Sequence, residues 1–159
     1  MGRAFFKTPQ GFPLPYVCLQ TCAGKICALD FVHTRAQEDL NALLERACEA
    51  LEGYFLGRIR IFDLPLHLEG SSFQQRVWHA LQAIPYAQTR SYAQIAQYIQ
   101  HPKAYRAVGN ANHHNPCPIF IPCHRVVRAN GALGGYEGGV QIKAWLLAHE
   151  RFYAPINAF

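Results

Sequence analysis

The hydrophobic pattern of this chain changes period at Gly70-Ser71-Ser72, and that change limits the folds open to it. Upstream, apolar residues sit in short extended runs around a single helix. Downstream they recur at the three- and four-residue spacing of buried helix faces. A boundary here predicts an α+β protein of two parts: a small N-terminal sheet-plus-helix support domain over 1–70, and a mainly helical domain over 71–159. With 159 residues, half of them hydrophobic, the chain has enough apolar surface to fold, which excludes a disordered chain.

In the first part, Gly24-Lys25 separates two β-rich runs, Tyr16 to Leu19 and Ile26 to Val32, which read as a hairpin or neighbouring strands. Leu40, Leu43, Leu44, Ala47, Cys48 and Leu51 then share one face of a helix that Gly53 closes. Ile59 to Leu68 reads as extended, with Pro65 at a bend or edge. In the second part, Ser72 is the expected N-cap of a helix buried through Phe73, Val77, Ala80, Leu81 and Ile84, and Pro85 stops it. Ser91 caps a short helix to Ile99, His101-Pro102 turns the chain, and Lys103 to Asn112 forms another helix, the outline of a helix-turn-helix. Ile119 to Val127 reads as a strand interrupted by Pro122. A glycine-rich loop, Gly131 to Gly139, leads into a helix from Val140 to His149 that turns Ile142, Trp145 and Leu146 inward.

Charge divides with the pattern. Residues 1–70 carry seven Lys/Arg against eight Asp/Glu, and residues 71–159 eight against two. A basic helical half beside a neutral one suits binding to a polyanion. No apolar run approaches the roughly 20 residues of a membrane span. Met1 to Gln10 also lacks the apolar core of a secretory signal, so a soluble cytoplasmic protein is expected (nuclear in a eukaryotic source), with no membrane partner. In such a compartment the six cysteines are free thiols.

Cys123 differs from the other five. It follows Pro122, which has no N–H to give a sheet, and it is flanked by His124 and Arg125, groups that can stabilise a thiolate. Neighbours in a strand point to opposite faces, so His124 reaches the thiol only through a water or a backbone bend. The second half offers two acids to orient His124, Glu137 and Glu150. Glu150 is favoured, because a carboxylate near a helix C-terminus opposes the macrodipole and calls for a compensating partner. Such a relay would place the Cys123 pKa well below the reference of about 8.5.

Pro122-Cys123-His124-Arg125-Val126 resembles the signature of the O6-alkylguanine-DNA alkyltransferases. Supporting pieces follow in that family's order: Phe73-Gln74, Val77-Trp78, Ile84-Pro85-Tyr86, Ser91-Tyr92, Arg106-Ala107-Val108-Gly109, Asn115-Pro116, Gly135-Tyr136 and Lys143 to Glu150. The resemblance implies repair of double-stranded DNA by stoichiometric transfer of an alkyl group from O6-alkylguanine, and from O4-alkylthymine, to Cys123. By the same resemblance His124 deprotonates Cys123 through a water, Glu150 orients His124, Tyr92 guides the base, and Asn115 ties down the active-site turn. The base must leave the stack to be reached. Arg106 fills the gap, and the helix carrying Ala104, Tyr105, Ala107 and Gly109 lies in the minor groove, where the bulk of Tyr105 departs from the small residue common in the family. The loop with Tyr136, Glu137 and Gly138 closes over the base, and the carbonyls of Cys123 and Val126 accept from the guanine amino group. Glu137 and Ala87 also depart from the family's usual residues, which are small or polar at the first position and glycine at the second.

The reaction implied needs no cofactor. Some relatives hold a structural zinc, for which Cys22 and Cys27, with Cys18 or His67, are the weak candidates here. A monomer is expected. Two rival readings remain at this point: an alkyltransferase-like module that binds damaged DNA without repairing it, which would lack the acceptor cysteine this chain keeps, and a cysteine hydrolase using Cys123 and His124, which would turn over.

Overall fold

In the computed structural model, which describes residues 1–136 and 138–154, backbone contacts divide the chain into two units, Met1–Glu69 and a second beginning at Gly70. The first unit is built on a hairpin. β2 (Tyr16–Cys22) and β3 (Lys25–Val32) pair antiparallel around the two-residue turn Ala23-Gly24. Both turn residues have positive φ, 50° and 74°, as a tight turn matched to strand twist requires, and Gly24 adopts it without a Cβ penalty. A register shift at Gln20/Thr21 bulges the ladder. β1 (Gly2–Lys7), which the sequence pattern did not reveal, adds on the other side of β2 and completes a sheet of order β1-β2-β3.

α1 (Ala42–Phe55) starts where the Asn41 side chain accepts from the Leu44 N–H at 2.9 Å. Leu44, Ala47 and Leu51 are buried as the periodicity requires, whereas Leu40 precedes the helix and is exposed. Gly53 does not close the helix. It lies inside it, where its missing Cβ makes room for Ile59, and the chain continues to a cluster in which Phe55 stacks on Phe6 (5.7 Å) and meets Phe12 edge-on (5.6 Å). Such pairs add about 0.5–1.5 kcal/mol each beyond burial. The expected extended segment Ile59 to Leu68 makes no strand; one parallel bridge, Leu66 to Ile26, ties it to the sheet.

Among its described residues the second unit packs four α-helices. α2 (Ser72–Gln82) is capped by Ser71, not Ser72, in a reciprocal capping box with Gln74. Its Trp78 is buried and donates from the indole N–H to the Ala111 carbonyl at 2.9 Å, so truncating it would cost about 3–5 kcal/mol. β4 (Arg90–Ser91) leads into α3 (Tyr92–Tyr98), capped by Ser91 with Gln94, and α4 (Tyr105–His113) follows after a short turn. Arg76 of α2 fastens that turn, donating to the Ile99 carbonyl and to His101. α3 and α4 form the expected helix-turn-helix, although α4 begins two residues later than the sequence pattern placed it.

The expected strand Ile119 to Val127 is corrected. Cys123–Arg125 form a single 3-10 turn, and β5 (Val126–Val127) alone is extended, pairing parallel with β4. The cause lies just upstream. Asn115 donates to the Ile121 carbonyl (2.8 Å) and accepts from the Cys117 N–H (2.9 Å), closing a loop that holds buried Ile119 at φ 74°. A β-branched residue takes that conformation only when its surroundings impose it. α5 (Val140–Tyr153) runs past His149 and buries Ile142, Lys143, Leu146, His149 and Glu150, leaving Trp145 half-buried on its flank. Among the described residues no helix is long and apolar enough to cross a membrane.

Ala87 also stands at positive φ (62°), in the turn after α2. An L-residue pays roughly 1–2 kcal/mol there that glycine does not, less the entropy glycine adds to the unfolded chain. Ala87→Gly is therefore expected to raise stability by about 1 kcal/mol, read from urea unfolding at constant m; an unchanged or lower midpoint would refute the strain.

Candidate active site

The 3-10 turn sets the geometry of the site. Because the backbone bends at Cys123, three consecutive side chains fan out from one point in the interior, and Cys123, His124 and Arg125 are all buried. Glu150 comes to them from α5. Among the described residues its carboxylate accepts from the Ala87 N–H (3.1 Å) and Arg125 Nε–H (2.8 Å) on Oε1, and from Arg125 Nη2–H (3.0 Å) and His124 Nε2–H (2.6 Å) on Oε2. Four donors match a carboxylate's acceptor capacity. Arg125 also donates to the Ile84 carbonyl (2.8 Å) and lies 5.6 Å from the centre of the Tyr86 ring. It is thus turned towards Glu150 and away from the thiolate role that its position beside Cys123 suggested.

Electrostatics follow from this arrangement. Burial would raise the Glu150 pKa, but the facing His124 and the charged, bidentate Arg125 outweigh it and hold the carboxyl well below the usual range. Burial lowers the His124 pKa, a shift that Arg125 and Lys143 reinforce and that Glu150 only partly opposes, so the imidazole is neutral at pH 7. With Nε2 donating to Glu150, the proton-accepting lone pair is on Nδ1, which has no hydrogen-bond partner among the described protein groups. The ring is a base with its acceptor nitrogen open.

The thiol itself corrects an expectation. Burial pushes the Cys123 pKa up to about 11, against the opposing influence of hydrogen bonds from Asn115 and Tyr136 and of the nearby Lys143 ammonium. The resting site therefore holds a thiol and a neutral imidazole, and charge separates only when the proton moves.

Lys143 is the site residue that sequence reasoning missed. It is fully buried, donates from Nζ to the Gly135 carbonyl (3.3 Å) and stands 5.8 Å from the centre of the Tyr92 ring. Burial brings its pKa down to about 8, opposed by the Cys123 charge. Its phase in α5, one residue after Ile142 and three before Leu146, was the available signal, since a lysine on a buried stripe needs a partner. Tyr92 gathers the remaining parts. Gly109 of α4 packs against its ring, and Gly134 of the glycine-rich loop, at φ 74°, lies where an added Cβ would come within 2.7 Å of the Tyr92 hydroxyl. Backbone conformation and contact both require glycine at 134.

The other expected residues fall on three surfaces. Asn115, Tyr136 and buried Val126 surround Cys123, and Gly138 lies half-buried in the loop, while Glu137 is outside the described residues. On α4, Tyr105, Arg106 and Ala107 are exposed and Ala104 and Gly109 are partly so, opposite the buried face of Val108, Ala111 and Asn112. Cys22 and Cys27 belong to the first unit and share a hydrogen bond near the hairpin end. Cys18 is four residues back along β2, about 13 Å, too far to share an ion with Cys22. Among the described residues no three His, Cys, Asp or Glu side chains are placed to hold a metal, so the candidate zinc ligands do not form a set.

Comparison with known proteins agrees with the site. The family described as "6-O-methylguanine DNA methyltransferase, DNA binding domain" matches residues 72–152. A methylated-DNA–protein-cysteine methyltransferase of Mycolicibacterium paratuberculosis is 56% identical over 111 residues, covering 70% of this chain and 67% of the relative. A constitutive methylated-DNA–protein-cysteine methyltransferase of Bacillus subtilis is 53% identical over 109 residues, 68% of this chain and 66% of the relative. In structure, Mycobacterium tuberculosis OGT, solved in complex with DNA, superposes with a TM-score of 0.84 at 39% identity, covering 97% of this chain and 95% of that one. The helix-turn-helix, the cysteine turn and these likenesses together place the chain in the O6-methylguanine-DNA methyltransferase family.

Proposed function

We propose that this protein repairs alkylated double-stranded DNA as a monomer, moving an alkyl group from O6 of guanine, and from O4 of thymine, onto Cys123 in a single turnover. The observation that carries this reading is a buried thiol beside a neutral histidine whose open nitrogen is oriented by a saturated carboxylate. The thiol proton passes through a bridging water to His124 Nδ1, and the imidazolium formed is stabilised by Glu150. The Lys143 ammonium and the Asn115 and Tyr136 donors favour the sulfur as it becomes anionic. An Sγ–carbon bond forms, the carbon–O6 bond breaks with its electron pair left on the guanine, and a proton neutralises the dealkylated guanine, which stays in the strand.

O6 of a stacked guanine is out of reach, so the base is turned out into the site. Exposed Arg106 fills the gap, the small residues of α4 allow close approach to the minor groove, and the half-exposed Tyr105 makes that approach shallower. Tyr92, whose hydroxyl stays protonated because burial and the Cys123 charge raise its pKa, is a donor towards the base. The glycine-rich loop with Tyr136 and Gly138 covers it. No cofactor takes part, because the chain itself supplies nucleophile, base and charge stabilisation. A thioether has no leaving path here, which favours a self-consuming enzyme over a hydrolase, and retention of Cys123 favours it over a binding-only module.

Incubation with duplex DNA containing O6-methylguanine should add one methyl per chain, on the peptide holding Cys123, as read by intact and peptide mass. Turnover beyond one equivalent, or methyl on another cysteine, would overturn the reading.

The relay predicts a second result. Glu150→Gln should slow alkyl transfer by about 10- to 1000-fold. It should also lower stability at pH 7 by about 3–5 kcal/mol, because Arg125 is left buried without its counter-charge. The folded Glu150 pKa is depressed, so its contribution is complete above the unfolded value of about 4.3 and is lost as pH falls below it. Urea unfolding between pH 7 and pH 3 should therefore show a shallower acid loss in Glu150→Gln than in the parent. Parallel curves would contradict a carboxylate held ionised by its partners.

A further inference from the structure

Four of the six cysteines are shielded or held protonated. Cys18, Cys117 and Cys123 are buried, and Cys48, half-buried on α1, is pushed up to about 11 by burial and by Glu38, Glu45 and Glu49. Cys22 and Cys27 differ: both are half-buried free thiols, and they share a hydrogen bond at the end of the hairpin. The bulge brings them together. Thr21 pairs with Ile26 and Gln20 with Ala28, so Cys27 is the extra residue of the ladder, outside the strict pairing. Its thiol donates to the Gln20 carbonyl at 3.6 Å and lies against Cys22, the last residue of β2 before the turn. Ala23, Gly24 and Lys25 are exposed, so solvent reaches this end of the hairpin.

Among the described residues no third ligand completes a metal set with the pair. Two thiols in contact have another chemistry in common, which is oxidation to a disulfide. We infer that Cys22 and Cys27 form a redox modification site, a dithiol that a low-molecular-weight disulfide of the glutathione type converts to a Cys22–Cys27 bond while Cys123 stays a thiol. The exchange takes two steps. The Cys22 thiolate attacks one sulfur of the reagent, the reagent's S–S bond breaks, and one thiolate leaves and takes up a proton. The Cys27 thiol then gives its proton to solvent and attacks the Cys22 sulfur, expelling the second reagent thiolate, which is protonated in turn. Two protein thiols are oxidised to one disulfide, and the reagent disulfide is reduced to two thiols. Cys22 is the entry point, because burial, Cys22 itself and Glu69 push the Cys27 thiol up to about 11, and capping Cys22 removes its share of that shift. The ring closed is short, Cys22 to Cys27 around the turn, so it removes less chain entropy than a long cross-link. The same exchange with a small thiol reverses it, which suits a modification better than a structural staple. Cys123, 3% exposed and kept protonated by burial, is spared.

The test exposes the reduced full chain to glutathione disulfide at neutral pH, quenches with acid, labels the remaining thiols after denaturation, and reads intact and peptide mass. Trypsin cuts after Lys25, so the bond would join two peptides, Thr8 to Lys25 and Ile26 to Arg35, and fragmentation tells Cys22 from Cys18. The chain should lose two hydrogens and retain no glutathione, and the pair should react faster than Cys123 by about tenfold or more. Cys27→Ser should stop with one glutathione on Cys22, and Cys22→Ser should form no cross-link. Glutathione retained on Cys22 in the parent, a bond through another cysteine, or Cys123 modified as fast as the pair would overturn the inference.

Discussion

The site depends on one buried carboxylate. Glu150 gathers donors from the turn after α2, from His124 and twice from Arg125, and so joins α5 to the cysteine turn and to the end of α2. A buried ion pair earns little stability over an apolar core, because desolvation offsets most of the Coulomb gain. Its value here is orientation. His124 and the bidentate Arg125 together hold Glu150 ionised against burial, while burial keeps the histidine neutral at rest and the carboxylate stabilises it as a cation during the reaction.

A raised thiol pKa fits this logic. Cys123 is buried, and burial wins over the hydrogen bonds and the Lys143 charge that favour the thiolate. A thiol kept protonated is protected from adventitious oxidation and electrophiles, which react with the thiolate. Ionisation is then tied to proton transfer beside the substrate. Tyr92 ties these parts together, since its ring touches Gly109 of α4, its hydroxyl limits residue 134 to glycine, and the Lys143 ammonium stands 5.8 Å from its centre.

The legible parts of the sequence were those with local causes. Periodicity located the main helices, the turn residues located the hairpin, and Pro122-Cys123-His124 located the nucleophile. What stayed hidden was set by contacts distant in sequence. β1 lacks alternation and is defined only by pairing with β2. The run Ile119 to Val127 has strand composition, yet Asn115 closes a loop that forces Ile119 to positive φ and coils the next residues into a 3-10 turn. Arg125 was read as a partner of the cysteine beside it, because nothing local reveals that the bend sends its side chain to α5.

The central claim is that Glu150 holds His124 as a neutral base whose acceptor nitrogen is Nδ1, and the protonation state of that one ring tests it most directly. Nitrogen-15 NMR of histidine-labelled protein at pH 7, with His124 assigned through His124→Gln, reports each ring nitrogen separately. The account predicts a proton on Nε2 and a bare, pyridine-like Nδ1 in the unreacted protein. A doubly protonated ring, or a proton on Nδ1, would contradict it, because His124 could then not accept the proton that Cys123 must lose.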